Sequence, residues 1–124
     1  MTRIDREGPI HRACIAYLRH VLPADAIVHH SANEGVRGGR RGVLDGQRRK
    51  AMGQQAGFPD ILIFTGGRGY CLEVKAEGGT LSGSQRQVRD ILRGQGIPYE
   101  VVRSIEDVRE TLVAWGVETA EVLP

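Results

Sequence analysis

Two carboxylates and one ammonium group lie at one end of two neighbouring apolar segments, residues 58–65 and 70–76. Asp60 falls near the start of the first segment, and Glu73 and Lys75 fall near the end of the second. The glycine-rich stretch between the segments is typical of a β-hairpin connection. Because side chains alternate along a strand, Glu73 and Lys75 would point to one face, with Asp60 at the same end of the hairpin. The spacing therefore predicts a site for a hard cation beside a positive charge.

Such a site has a definite chemistry, because Mg²⁺ prefers oxygen ligands in octahedral geometry and keeps several waters. Asp60 and Glu73 would supply carboxylates, and the backbone carbonyl of Val74 would add a third oxygen. A bound metal lowers the pKa of water and polarises a phosphorus centre. Lys75 would position that water or offset charge that builds on the phosphate. The pattern P-D…(D/E)-x-K is typical of metal-dependent nucleases, and it predicts phosphodiester hydrolysis with Mg²⁺ or Mn²⁺ and no organic cofactor.

The rarity of lysine in this chain suggests that position 75 specifically requires an ammonium group. The chain has 17 Lys and Arg residues, of which only Lys50 and Lys75 are lysine. Lysine supplies a compact charge where arginine would supply a planar fork. The alternative interpretation is that Glu73 and Lys75 form an exposed strand face and that Asp60 is a turn residue.

Other polar residues have two interpretations each. Gln85 opens a helix directly after the active strand, where it could reach the site, and it also has the spacing of a capping box with Ser82. Glu7, at the head of the first helix, is better explained by the helix dipole than by a metal role. His29 and His30 alternate on a strand, where a histidine is more often structural than a ligand.

Length and composition indicate one domain over residues 1–124, with a core at about 7–115 and a short C-terminal tail. Of the 124 residues, 40% are hydrophobic and 26% are charged, as in ordinary globular proteins. No apolar run approaches the roughly 20 residues of a membrane span, and the N-terminus lacks a signal-peptide core. We therefore expect a cytoplasmic protein. Cys14 and Cys71 stand among apolar neighbours and are interpreted as buried hydrophobes.

Positive charge is concentrated in a glycine-rich connection. The net charge is +2, but residues 1–57 carry ten basic and five acidic side chains and residues 58–124 carry seven and ten. A positive loop of this kind is a candidate contact for a phosphate backbone, or else an ordinary solvated loop. The candidate nucleic-acid contacts are Asn33, Arg37, Arg40, Arg41, Arg48, Arg49 and Lys50.

Hydrophobic periodicity and capping signals predict seven or eight elements. A helix carries the stripe from Ile10 to Val21, a strand covers residues 26–30, and a short helix is possible over 44–52. After the hairpin, a helix follows Ser82, a strand covers 99–103, and a last helix runs from Ser104 to Gly116. The residues expected to point inward from the last two helices are Val88, Ile91, Leu92, Ile105, Val108, Leu112 and Trp115. The order α-β-β-β-α-β-α predicts a small mixed sheet with helices on its faces.

These residues resemble the VRR-NUC domain, a branch of the PD-(D/E)XK nuclease superfamily. The specific pieces are GFPDILIF and LEVKAEGGTLSGSQ, and EGPIHRACIAYLRHVLP, HHSANEGVR and IPYEVVRSIEDVRETL add support. The resemblance implies an α/β, restriction-endonuclease-like αβββαβ core and a metal-dependent endonuclease. It implies a catalytic set of Asp60, Glu73 and Lys75, with accessory roles for Gln85 and Glu7. Some members carry glutamine where this chain has His11, which leaves the role of the first helix open.

The resemblance also implies a biological setting. Short members of the family look like phage or prophage proteins that act as homodimers on branched DNA, such as the four-way junctions of DNA repair. The leading hypothesis is thus a structure-selective deoxyribonuclease. Two hypotheses compete with it. A non-catalytic nucleic-acid-binding module would show metal-independent DNA affinity without cleavage, and a purely structural protein would behave alike as wild type, Lys75→Ala and Glu73→Ala.

Overall fold

The elements appear in the predicted order in the computed structural model, which describes residues 4–31, 47–48 and 51–120. They are α1 (Glu7–Val21), β1 (Ile27–His30), β2 (Ile61–Thr65), β3 (Arg68–Val74), α2 (Gly83–Gly94), β4 (Tyr99–Val102) and α3 (Ile105–Trp115). Of the possible helix over residues 44–52, Gln47, Arg48 and Ala51 are helical, and Met52 N–H donates to the Arg48 carbonyl at 3.1 Å. None of the described helices is long and apolar enough to cross a membrane.

The four strands form one mixed sheet in the order β1-β2-β3-β4. β1–β2 and β2–β3 are antiparallel, whereas β3 and β4 are parallel and are joined through α2. Gly66 and Gly67 turn the hairpin with φ of 60° and 78°, a left-handed conformation that glycine adopts without steric cost. The predicted mixed α/β sheet flanked by helices is confirmed.

One face of the sheet carries the core. The buried set from α1, the strands and α3 comprises Cys14, Leu18, Val21, Leu22, Ile61, Ile63, Tyr70, Leu72, Val74, Val102, Val108 and Leu112. Trp115 stacks on Tyr70 with 5.1 Å between ring centroids. Both cysteines are buried, so their interpretation as buried hydrophobes is confirmed, and burial raises the pKa of the Cys71 thiol to about 11.

Two residues expected to point inward are exposed instead. Ile91 is 54% exposed because α2 packs only at the β4 edge, where the single side chain Val88 is buried. Ile105 is 41% exposed because it is the first residue of α3, ahead of the turns that bury Val108 and Leu112. In both cases the periodicity was correct for a helix, but the width of the buried stripe depends on the neighbouring element.

The cap of α3 forms only one half of a capping box. The Ser104 hydroxyl accepts from Asp107 N–H at 3.1 Å, as expected. The Asp107 carboxylate, however, accepts from Arg103 N–H at 2.9 Å rather than from Ser104 N–H. The strand therefore ends at Val102, one residue earlier than predicted, and Arg103 begins the turn into the helix.

Candidate active site

Asp60 is held at the end of the hairpin by bonds from both neighbouring strands. Its carbonyl accepts from Ser31 N–H at 2.8 Å, just beyond β1, and its carboxylate Oδ2 accepts from Val74 N–H at 2.9 Å, at the end of β3. Pro59 before it is fully buried. The register pairs Ile61 with Leu72, so one step further places Asp60 opposite Glu73 on the same face. The predicted convergence of the two carboxylates is therefore present.

Glu73 is almost completely buried, with 1% of its surface exposed. Its Oε2 accepts from the Gln85 amide at 3.4 Å, and its buried Oε1 receives no hydrogen bond within the described ranges. The pKa of Glu73 is raised to about 10, chiefly by burial and also by the nearby Asp60 carboxyl, while the Lys75 charge opposes the increase. The raised pKa of Glu73 and its unused buried oxygen fit a site that a divalent cation would complete.

Lys75 follows the end of β3 and is half-buried. Its N–H donates to the Val102 carbonyl at 3.0 Å, which anchors its backbone beside β4. The turn after it folds back, with Gly79 N–H donating to Ala76 O at 3.0 Å, and the Arg103 guanidinium also donates to Ala76 O at 2.7 Å. These bonds fix the backbone around Lys75, and the charge of its side chain lowers the pKa of the Glu73 carboxyl.

Gln85 serves the cap and the site at the same time. Its side-chain oxygen accepts from Ser82 N–H at 2.8 Å, and its own N–H donates to the Ser82 hydroxyl at 3.2 Å, which completes the capping box. Its amide nitrogen donates to Glu73. Both interpretations offered for this residue hold together, because the two ends of one amide have different partners.

Gly57 allows the loop before Asp60 to approach the start of α2. Its φ is +79°, and a Cβ atom there would lie 2.5 Å from the backbone carbon and oxygen of Ser84. No side chain could occupy that space without displacing the backbone. The loop that carries Asp60 and the helix that carries Gln85 are therefore in direct backbone contact.

A cleft of about 710 Å³ opens between α1 and this end of the sheet. Asp60, Val74, Glu7 and His30 all line it. Glu7 is exposed, and its charge contributes to the raised pKa of Glu73. His30 lies edge-to-face on His11 with 4.4 Å between ring centroids, whereas His29 is exposed on the other face of β1.

Within the described residues, no three Asp, Glu, His or Cys side chains converge as a metal cluster. The oxygen donors that fit a metal are therefore the Asp60 and Glu73 carboxylates and the backbone carbonyl of Val74, with water or substrate supplying the rest.

Comparison with known proteins assigns the chain to a family. The family model described as the VRR-NUC domain matches residues 18–106. The chain belongs to the VRR-NUC domain family. A solved VRR-NUC domain protein has a TM-score of 0.71 and 19% sequence identity, and the match covers 92% of this chain and 90% of that one. A second solved VRR-NUC domain has a TM-score of 0.59 and 18% identity, with coverage of 90% and 97%. No curated protein matches this sequence.

Membership of the VRR-NUC family makes this a nuclease-family protein with a nucleic-acid substrate, while the two structural relatives confirm the fold. Of the residues predicted to contact that substrate, Arg48 is described and exposed. Six others lie outside the described residues, namely Asn33, Arg37, Arg40, Arg41, Arg49 and Lys50.

Sequence reasoning missed other residues around the VRR-NUC site. Tyr99 is buried, its hydroxyl has no hydrogen-bond partner within the described ranges, and burial together with the Glu73 and Asp60 charges raises its pKa. Its strand pattern gave no sign of this. Arg12 and Arg19 line the cleft beside Asp60. Their seven-residue spacing could have indicated this, since residues so spaced lie on one face of a helix.

Proposed function

We propose that this VRR-NUC domain is an endodeoxyribonuclease that hydrolyses DNA phosphodiester bonds with Mg²⁺ or Mn²⁺ and prefers branched DNA such as four-way junctions. The observation that supports it most is the Asp60–Glu73 pair, with a buried oxygen that has no donor, beside Lys75. A structural protein would gain nothing from burying an unsatisfied carboxyl, which destabilises the fold.

The residues have separate roles in this proposal. When bound, the metal would supply Lewis acidity toward the phosphate and acidify water. Asp60 and Glu73 would hold it, together with the Val74 carbonyl, and Asp60 is already fixed by Val74 N–H. Gln85 would orient Glu73 through its amide bond. The Lys75 ammonium would position the attacking water and stabilise negative charge on the phosphate in the transition state. Glu7, at the cleft, is the remaining candidate to hold the metal through water.

The partner and setting are also proposals. A two-fold homodimer would present two identical sites to two strands, which suits cleavage of a junction. The setting would be the turnover of branched DNA in the cytoplasm of a bacterium or of a phage-infected host. Light scattering on the purified chain, alone and with a junction, measures whether the unit is a dimer.

Cleavage of a labelled four-way junction beside a matched linear duplex tests the activity. Each substrate is incubated with Mg²⁺, Mn²⁺ or EDTA. Lys75→Ala is the test variant, and Arg86→Ala, which removes an exposed cation from α2, is the matched control. We expect metal-dependent cutting that is lost in Lys75→Ala and retained in Arg86→Ala. If the folded wild type cuts no DNA with either metal, the proposal is wrong and the domain is a binding module.

A further inference from the structure

The α1 side of the cleft carries acidic residues at its N-terminal end and arginines further along the helix. Gly8, Ala16 and Ile15 line it together with Arg12 and Arg19. These positions follow the three-to-four residue spacing of one helix face. The space beside Gly8 is filled by the Asp5 carboxylate, which accepts from Gly8 N–H at 2.8 Å, whereas Ala16 further along the helix presents only a methyl group. The two arginines are the long side chains that border the free space.

Both arginines are available for a ligand. Arg12 and Arg19 are exposed, and neither forms an ion pair or hydrogen bond with another residue of the described ranges. Other arginines on the described surface are engaged, for example Arg93 with Glu100 and Arg109 with Glu106. Two exposed guanidinium groups beside a concave surface match the geometry of phosphate oxygens.

The two arginines lie at different distances from the carboxylates. His11 contacts His30, and His30 adjoins Ser31, which donates to the Asp60 carbonyl. Arg12 is thus next to the catalytic end, and Arg19 lies two turns further along α1. Their seven-residue separation is about 10 Å at 1.5 Å per residue. This is well beyond the axial rise of about 3.4 Å per nucleotide of one DNA strand, so the two arginines can contact different phosphates of that strand.

We propose that this face of α1 binds the phosphate backbone of the strand that is cut, with Arg12 and Arg19 contacting phosphates on one side of the scissile bond. The proposal rests on the proposed nuclease function and adds a second contact surface to the basic connection before β2. Phosphate contacts position a strand without reading its bases. The arginines therefore set where the strand lies, on the part of α1 that follows the acidic residues Asp5 and Glu7.

DNA affinity measured against salt concentration tests this surface. The parent is Lys75→Ala with Mg²⁺, so that binding is followed without cutting. Arg12→Ala/Arg19→Ala is compared with Arg93→Ala/Arg109→Ala, which removes the same charge from α2 and α3 at positions outside the cleft. Log affinity changes with log salt by about −0.9 per phosphate contact on duplex and about −0.7 on single strands. We expect the slope of the cleft variant to be less negative by about 1.8 or 1.4, and that of the control to be unchanged.

A second variant separates charge from fold. Arg12→Lys/Arg19→Lys keeps both charges and should restore most of the slope, and thermal unfolding of both cleft variants should coincide with that of the parent because Arg12 and Arg19 are exposed. An unchanged slope in Arg12→Ala/Arg19→Ala, or an equal loss in the control, overturns the proposal. Wild-type cleavage is measured alongside: normal cutting with an unaffected slope rejects this surface alone, whereas absence of cutting rejects the nuclease function.

Discussion

Glu73→Gln should stabilise the metal-free protein at neutral pH, although it removes a residue of the proposed active site. Glutamine has nearly the same shape, still accepts from Gln85, and can donate to Asp60, but it has no proton to lose. The Glu73 carboxyl has a pKa of about 10 in the folded chain, against 4.5 as its ordinary value. The folded state therefore binds a proton that the unfolded state releases.

The magnitude follows from that difference. A carboxyl with a raised folded pKa gives its full stability below pH 4.5, and this stability is lost progressively as the pH rises toward 10. From pH 4.5 to 7 the loss is about 3 kcal/mol, at about 1.36 kcal/mol per pH unit. The free energy of unfolding of Glu73→Gln should equal that of wild type at pH 4.5. At pH 7 it should be higher by up to about 3 kcal/mol, which corresponds to roughly 10 °C in Tm.

Urea unfolding in EDTA between pH 4.5 and 9 measures this, with fluorescence of Trp115, the single tryptophan, as the probe. Glu77→Gln is the control, since Glu77 is an exposed glutamate four residues further on. Adding Mn²⁺ at about 100 times its Kd should then raise the free energy of unfolding of wild type by about 2.7 kcal/mol. The increase for the Glu73→Gln variant should be much smaller. If the free energy of unfolding changes with pH in the same way for wild type and Glu73→Gln, the reasoning is refuted, because Glu73 would then ionise normally in the fold.

Three further predictions concern the surroundings of the site. Gln85→Ala should lower both stability and the cleavage rate, whereas Ser82→Ala should cost about 1 kcal/mol of cap stability and leave the rate unchanged; equal cleavage rates would contradict this. Gly57→Ala should destabilise by about 1–3 kcal/mol in urea unfolding, and more than Gly53→Ala, which has a similar φ of +95° but open space around it. Neutralising four arginines of the basic connection should weaken DNA binding and flatten its salt dependence, and an unchanged slope would exclude backbone contact there. The four are Arg40, Arg41, Arg48 and Arg49.

Local rules were sufficient to predict the order of elements and the meeting of Asp60 with Glu73. Both residues lie on one hairpin, and its glycine turn and period-two alternation are encoded within a short stretch of chain. The capping box of Ser82 and Gln85 is equally local and was confirmed. Features that depend on how separate elements pack were not predictable in this way. Ile91 is exposed because α2 meets the sheet only at its edge.

The electrostatics of the site belong to the same non-local class. The sequence places Glu73 on a strand, but its burial and its raised pKa require α2 and β4 to cover that face. The link from Gln85 to Glu73 spans twelve residues and depends on the contact of Gly57 with the start of α2. The cleft beside Arg12 depends on the placement of α1 against β1, which no pattern within the helix reveals.

Burial of Glu73 and openness of the α1 face have complementary consequences for the proposed nuclease. On the covered side, burial makes the Glu73 carboxyl favour its protonated form, so its ionisation at neutral pH destabilises the metal-free fold. A bound cation would relieve this destabilisation, which favours cation binding. On the open side, Asp5, Glu7 and Asp60 would repel a phosphate backbone, and Arg12 and Arg19 supply the nearby positive charge. A cation bound between Asp60 and Glu73 would cancel much of that repulsion. Metal and DNA should therefore bind with positive coupling, each raising the affinity of the other by the same factor.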